Sequence, residues 1–303
     1  MAFNIYNIKK WYLMLTGKSV LHVNQDIGPQ FVPGELKGYF NNMTEKVTKE
    51  PELLESDSLP LLQTEKGEYI YFPVAIFQYG LGAYDLYLST NDEIYLKKFK
   101  LCVKWAIDNQ EINGSWSNFF YIYPNSPYGA MCQGEGASLL LRAYKEFGDV
   151  KFLECAKKAI DYMLLPVEEG GTALYQDNEV ILLEYTHRPA VLNGWIFALF
   201  GLYDLTLVDN SDKYNDALQK TLYSLKNNLN KFDNCYWSLY DLDNKITSPF
   251  YHNLHIAQMQ AIYEITNDQV YKQLLEKWIN YRNSFCKSKK AFIKKAIQKI
   301  VEK

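Results

Sequence analysis

The side chains of this chain best suited to moving a proton are carboxylates and phenols. Glu184 and Tyr185 stand side by side just ahead of an apolar stretch. Tyr240 closes a short strand-like run, and Tyr251 immediately precedes His252 at the head of another apolar stretch. A free glutamate titrates at about 4.3 and a free tyrosine at about 10, so neither is a ready base for a weak carbon acid. Inside a dry cup near Arg188, burial would shift the glutamate up, and a tyrosine is expected to shift down. The competing account is a carboxylate that favours a helix dipole and tyrosines hydrogen-bonded to loops. Metal chemistry has little support. His252 and His255 are three apart and share a helix face, but no cysteine or carboxylate pattern accompanies them. There is no calcium-loop spacing, no glycine-rich phosphate loop and no Gly-x-Ser-x-Gly. No metal and no cofactor are expected. His22 and His187 are isolated, and structural roles are expected of both.

These residues must be positioned by something regular, and a repeat is present. Tyr84, Tyr144, Tyr203 and Tyr263 are spaced 60, 59 and 60 residues apart. Each is followed by a turn: Asn91-Asp92, Gly148-Asp149, Asn210 to Asp212, and Asn267-Asp268. Self-similarity at this period marks stacked helical hairpins. Residues 74–88, 130–147, 191–205 and 252–265 are apolar or small around their circumference, as buried helices are. Their partners, 93–110, 150–165, 213–229 and 269–283, carry Lys and Glu on one face. An all-α fold follows, an (α/α) toroid with inner helices at the centre and an outer, solvent-facing layer. Residues 1–70 hold one helix at about 5–15 and a long irregular stretch, 17–66, which is expected to be functional or to wrap the fold. Residues 71–285 form the toroid and 286–303 a separate tail.

Connections that run from an outer helix to the next inner one break the repeat, and they are aromatic. Tyr69, Tyr71 and Phe72 precede the first inner helix. Trp116, Phe119, Phe120, Tyr121, Tyr123 and Tyr128 precede the second. Tyr175 and Tyr185 precede the third, and Tyr236, Trp237, Tyr240, Phe250 and Tyr251 the fourth. Short strand pairs are expected for 172–175 with 180–184 across Asp177-Asn178, and for 236–239 before Asp243-Asn244. All four connections must emerge at one end, making a cup of ring faces and polar groups suited to a sugar. Arg188, Tyr71, Gln78, Gln133, Asn193, His252 and His255 are its candidate substrate-binding residues. Gly194 falls in the first turn of a buried helix, which suggests close packing and a lower melting temperature for Gly194→Leu. Alternatively the rings merely plug the barrel mouth.

Bulk properties narrow the function classes. The chain has 303 residues, 48% of them hydrophobic, 22% charged, with a net charge of −3, so nothing global points to nucleic acid. Five cysteines without paired spacing are expected to be reduced thiols, and a cytoplasmic location with them. The apolar run at 11–15 is too short for a signal segment or a membrane span. In the tail, Lys287, Lys289, Lys290, Lys294, Lys295, Lys299 and Lys303 alternate with Phe292, Ile293, Ala296, Ile297, Ile300 and Val301. Apolar residues at three- and four-residue steps make one helix face. Such a basic amphipathic helix suits peripheral contact with an anionic membrane, here at its inner face. The other expectation is a last helix packed on the barrel with a solvated lysine face.

Five blocks carry a family resemblance. YFPVAIFQYGLGAY (71–84), AMCQGEGASLLLRAY (130–144), EYTHRPAVLNGWIFALFGLYDL (184–205), SLYDL (238–242) and YHNLHIAQM (251–259) resemble, in order, the C-terminal domain of D-glucuronyl C5-epimerases. The resemblance spans roughly residues 70–285. It implies an (α/α) barrel, in agreement with the repeat, and C5 epimerisation of a glucuronate residue in a glycan without a redox cofactor. It assigns the chemistry to a glutamate and tyrosines: Glu184 and Tyr185 match the family's Glu-Tyr pair, Tyr240 its Tyr-Asp-Leu segment and Tyr251 its Tyr-His-x-x-His segment. Animal members carry an arginine where this chain has Asp243, and Arg188 is the expected substitute. They also have a β-rich domain ahead of the barrel, and none is expected within these 303 residues. A uronate-containing glycan is the expected partner, and a homodimer the expected assembly. The rival readings are a uronate lyase on the same scaffold, a non-catalytic glycan-binding protein, and a glycoside hydrolase using Glu184 with Glu135.

Overall fold

The computed structural model describes residues 12–13, 19 and 22–301. Apart from residues 12 and 13, the helix expected over 5–15 lies outside the described residues. Two short helices, α1 (Thr44–Thr48) and α2 (Pro51–Glu55), and a small antiparallel pair, β1 (Leu62–Gln63) with β2 (Tyr69–Ile70), interrupt the stretch expected to be irregular. Four helical hairpins follow: α3 (Pro73–Thr90) with α4 (Glu93–Asp108), and α5 (Ala130–Phe147) with α6 (Val150–Leu164). The strands β3 (Ala173–Gln176) and β4 (Glu179–Leu182) intervene before α7 (Leu192–Thr206) with α8 (Asp212–Asn228) and α9 (Pro249–Thr266) with α10 (Gln269–Asn283). A last helix, α11, covers Phe285–Val301.

The turn chemistry explains why the hairpins repeat. Asn91, Gly148 and Asn267 end α3, α5 and α9 in the left-handed conformation. Asparagine and glycine tolerate that conformation best. The aspartate that follows each then caps the next helix, its carboxylate accepting from the amide of Ile94, Lys151 or Val270. One residue stops the inner helix and its neighbour starts the outer one. The tyrosine marker holds one phase in three hairpins: Tyr144, Tyr203 and Tyr263 offer their carbonyls to the residue just past the helix. In the first hairpin Tyr87 fills that place, so Tyr84 lies one turn earlier than the spacing suggested.

Inner and outer layers divide as their patterns require. Every residue of α3 from Pro73 to Asp85 is buried, and so is α7 from Leu192 to Leu205 except Tyr203. Outer α10 buries only the stripe Tyr271, Leu274, Trp278 and Tyr281. Helices α5 and α7 approach until their backbones touch. A Cβ on Gly201 would lie 2.3 Å from the Gly134 carbonyl oxygen, and one on Gly134 2.6 Å from the Ala198 Cα.

The stretch before the toroid is drawn into the core. Tyr39, Phe40, Met43 and Val47 are buried, and Phe40 stacks on Phe200 with centroids 4.1 Å apart. Arg142 donates from Nε to the Lys37 carbonyl and from Nη2 to that of Gly38, while Nη1 pairs with Asp204 Oδ2 at 2.6 Å. The Tyr39 amide donates to Asp85 Oδ1 at 3.0 Å. These polar ties anchor a segment that has little secondary structure of its own.

At one end of the barrel the connections are stitched together. The Ala130 amide donates to the Leu183 carbonyl, Leu192 to Tyr240, and Leu242 to Ala190. The expected hairpin across Asp177-Asn178 forms, with Ala173 opposite Leu182. The second expected pair is reduced to isolated bridges, Leu239 with Ile246 among them, around a turn in which Asn244 has φ 63°.

Candidate active site

Glu184 leaves the end of β4 and enters the seam between α5 and α7. Its backbone passes so close to the start of α5 that a Cβ on Gly129 would lie 2.2 Å from its carbonyl oxygen. Its carboxylate rests on α7 at Gly194, where a Cβ would come within 2.4 Å of Oε2 and 2.7 Å of the glutamate Cβ. The side chain is 7% exposed and Oε2 has no hydrogen-bond partner. Burial pushes its carboxyl up to about 7, against the pull of the Tyr185 hydroxyl beside it. No side chain caps α7, so this carboxylate is not spent as an N-cap.

Three tyrosines surround it. Tyr240 is held by two backbone bonds, its amide donating to Lys245 and its carbonyl accepting from Leu192. Tyr251 lies in the first turn of α9, which Ser248 caps by accepting from the Tyr251 amide. The two rings meet edge to face at 5.1 Å. Tyr185 stacks on Phe119 at 4.5 Å and meets Tyr123 at 6.0 Å. Burial, followed by the negative charge of Glu184, raises the hydroxyls of Tyr185, Tyr240 and Tyr251 above the ordinary tyrosine value. The downward shift expected of a tyrosine does not occur. Arg188 lowers Tyr185, but burial and the carboxylate outweigh it. The result is one carboxylate poised near neutrality among phenols that stay protonated.

Arg188 stands exposed at the rim, donating from Nη2 to the Tyr123 hydroxyl, with its guanidinium 4.8 Å from the Tyr123 ring and 5.3 Å from that of Tyr185. Asp243 sits on an exposed turn beside Lys245, which pairs with Asp241 at 2.8 Å.

Several expected substrate contacts are placed elsewhere. His252 and His255 have no exposed surface. Both face the Ser238 hydroxyl, and His252 stacks on Trp237 at 3.7 Å, so they brace the connection that carries Tyr240. Gln133 is equally enclosed, clasping both backbone polar groups of Trp116. In each case burial replaces the expected sugar contact by a structural one. Gln78 turns inward and donates to Glu135 Oε1 at 2.8 Å. Asn193 keeps Oδ1 unpartnered, with its carbonyl accepting from Gln258. Tyr71 is half exposed, 6.4 Å from Trp105.

Three neighbours escaped the sequence reading. Tyr123 and Phe119 pack on Tyr185 and were visible only as members of an aromatic-rich connection. His22, read as isolated, meets Tyr251 at 6.1 Å and Phe250 at 5.0 Å, a contact across more than two hundred residues that no local pattern signals. Glu135, the second carboxylate of the hydrolase reading, lies within α5 with no exposed surface, and burial pushes it up to about 8. Hydrolysis by paired carboxylates needs both to reach the glycosidic bond. Among the described residues no group of three or more histidines, cysteines and carboxylates gathers as a metal site.

The seat of Glu184 yields a direct test. Gly194→Ala puts a methyl where the carboxylate and its Cβ lie, so Glu184 must move. Overpacking of this kind costs roughly 1–3 kcal/mol. We expect a lower melting temperature and slower turnover together. A Gly194→Ala variant with unchanged activity would show that the Glu184 position does not matter.

Comparison with known proteins gives a consistent picture. The family model for the D-glucuronyl C5-epimerase C-terminus matches residues 117–280, more than half of the chain. The D-glucuronyl C5-epimerase of Caenorhabditis elegans is 31% identical over 223 residues, covering 64% of this chain and 36% of that protein. An uncharacterized protein of Methanocaldococcus jannaschii is 33% identical over 159 residues, 50% of this chain and 51% of its own length. The chain thus spans about a third to a half of these relatives. Among solved structures, a UGL variant with dGlcA-Glc-Rha-Glc aligns at a TM-score of 0.53 and 11% identity, covering 80% of this chain and 67% of that one, a likeness of fold alone.

Proposed function

The chain belongs to the D-glucuronyl C5-epimerase C-terminus family, and from that premise we propose that it inverts C5 of a glucuronate residue within a polysaccharide or oligosaccharide. The observation that carries this reading is the buried, partly unpartnered Glu184 carboxylate set among the protonated hydroxyls of Tyr185, Tyr240 and Tyr251.

The C5 hydrogen lies α to the uronate carboxylate. Its removal breaks the C5–H bond and leaves an enediolate. Glu184, with a carboxyl near 7, is matched to that task at neutral pH. It takes the proton and becomes neutral. Tyr251 is assigned to the other face of the ring, where its hydroxyl gives a proton to C5 and forms the inverted centre. The resulting phenolate is far more basic than Glu184, so it regains a proton as the glutamate releases its own. Tyr185 and Tyr240 are assigned to the uronate carboxylate, where hydroxyls aimed at developing charge act most strongly in a dry site. Arg188 offers the rim cation that Asp243 does not.

The test is incubation with desulfated glucuronate-containing polymer in D2O, followed by NMR. Deuterium at C5 together with the inverted uronate is the expected outcome. An unsaturated uronate chromophore would make the reaction an elimination, which shares the enediolate but expels the C4 substituent. No exchange at C5 on any such polymer would leave a binding protein.

A further inference from the structure

The last helix is turned inside out relative to the barrel. A terminal amphipathic helix normally buries its apolar face on its own protein and shows its charges to water. Here α11 meets the rest of the chain through Ala291, Lys295 and Gln298, which lie on one side at three- and four-residue spacing, and near its start through Lys287 and Lys290, whose ammonium groups lie over the rings of Tyr281 and Tyr236 at 4.2 and 4.1 Å. Ala291 and Lys295 are buried, and Gln298 Oε1 accepts from the Ile246 amide at 3.1 Å. The opposite side carries Phe292, Ile293, Ile297 and Val301, all exposed, with Ile293 56% and Val301 73% open to solvent. At 100° per residue these apolar positions fall within about half of the helix circumference. Over Phe285–Val301 there are six lysines, at 287, 289, 290, 294, 295 and 299, and no acidic residue, although the whole chain carries a net −3. The positive charge is concentrated on the element whose apolar face points away from the protein.

We propose that this face of α11 docks on an anionic lipid bilayer, with Phe292, Ile293, Ile297 and Val301 in the acyl boundary and the flanking lysines among acidic headgroups. Charge selects the occupant. Packing against a second copy would bring two lysine-rich, acid-free helices together, and like charges at such contact repel. A bilayer rich in acidic lipid answers both features, the apolar stripe and its cationic borders. No described helix is long and apolar enough to cross a membrane, so the contact is one of surface. The buried side of α11 keeps the barrel attached while its other side is engaged.

The test uses the full chain in vesicle flotation, with phosphatidylcholine vesicles and with vesicles containing one third phosphatidylserine. We expect flotation with the acidic vesicles alone, falling at least tenfold between 0.05 and 0.5 M salt, because headgroup attraction is screened. The double variant Ile293→Glu, Ile297→Glu should lose flotation at least tenfold while circular dichroism and melting temperature stay those of the parent. Equal flotation of parent and variant would overturn the proposal. So would a concentration-dependent dimer in light scattering that the same two substitutions abolish, since α11 would then be a self-association face. Retention on a sulfated polysaccharide without vesicle binding would also overturn it, making the helix a glycan contact.

Discussion

Glu184→Gln is expected to slow C5 exchange by about 10²–10⁴-fold, the usual contribution of one positioned proton-transfer group. The substitution keeps the shape and removes the basicity. Tyr251→Phe should do the same by removing the acid from the opposite face. Neither should unfold the protein, because Glu184 Oε2 has no partner to lose and Tyr251 is held by its ring contacts and backbone cap. In the parent, Glu184 must be ionised to accept a proton, so the rate should rise with pH through about 7 and then level. Tyr251 must be protonated to donate, and burial holds its hydroxyl above the ordinary tyrosine value, so the plateau should continue past neutrality. A rate that fell across pH 6–8, or variants exchanging C5 hydrogen at the parental rate, would remove both residues from their roles.

Arg142→Leu is expected to cost the fold about 3–5 kcal/mol, because it strands one member of a buried ion pair. The guanidinium is 1% exposed and Asp204 fully buried. Without Arg142 the Asp204 carboxylate retains only the Ser138 hydroxyl, and the Lys37 and Gly38 carbonyls lose their donors. At a few degrees per kcal/mol this is a fall of roughly 10 °C in melting temperature. Proteolysis should shift toward residues 37–40, which the guanidinium pins to the barrel. Replacing both partners, Arg142→Leu with Asp204→Leu, should recover part of the loss, since no charge is then left unpaired. A double variant less stable than the single one would mean that the backbone ties matter more than the ion pair.

Much of this protein is written locally. The Asn-Asp and Gly-Asp pairs stop one helix and start the next through properties of single residues, so three of the four hairpins could be read from their turns, and the tyrosine spacing supplied the fourth. All-round apolarity told inner helices from outer ones, and the Asp177-Asn178 turn announced its hairpin. The aromatic connections could be named because they break the repeat, and the order of family blocks singled out Glu184, Tyr185, Tyr240 and Tyr251. What the sequence could not show depends on contacts between distant segments. The Glu184 carboxylate seat is made by a missing Cβ at Gly194 on another element. The direction of the tyrosine shifts follows from how deeply the cluster is buried and how near the carboxylate lies, and burial is a sum over the whole fold. His252, His255 and Gln133 have the chemistry of substrate ligands, but packing around Ser238, Trp237 and Trp116 turns them into braces. Residues 37–43 lack a periodic pattern because they are anchored by Arg142 and Asp85 across more than forty residues of chain, not by a helix or strand of their own. The apolar face of α11 was legible as a stripe, but whether it points at the barrel or at solvent is set by tertiary packing, because periodicity defines a face and never says what lies against it.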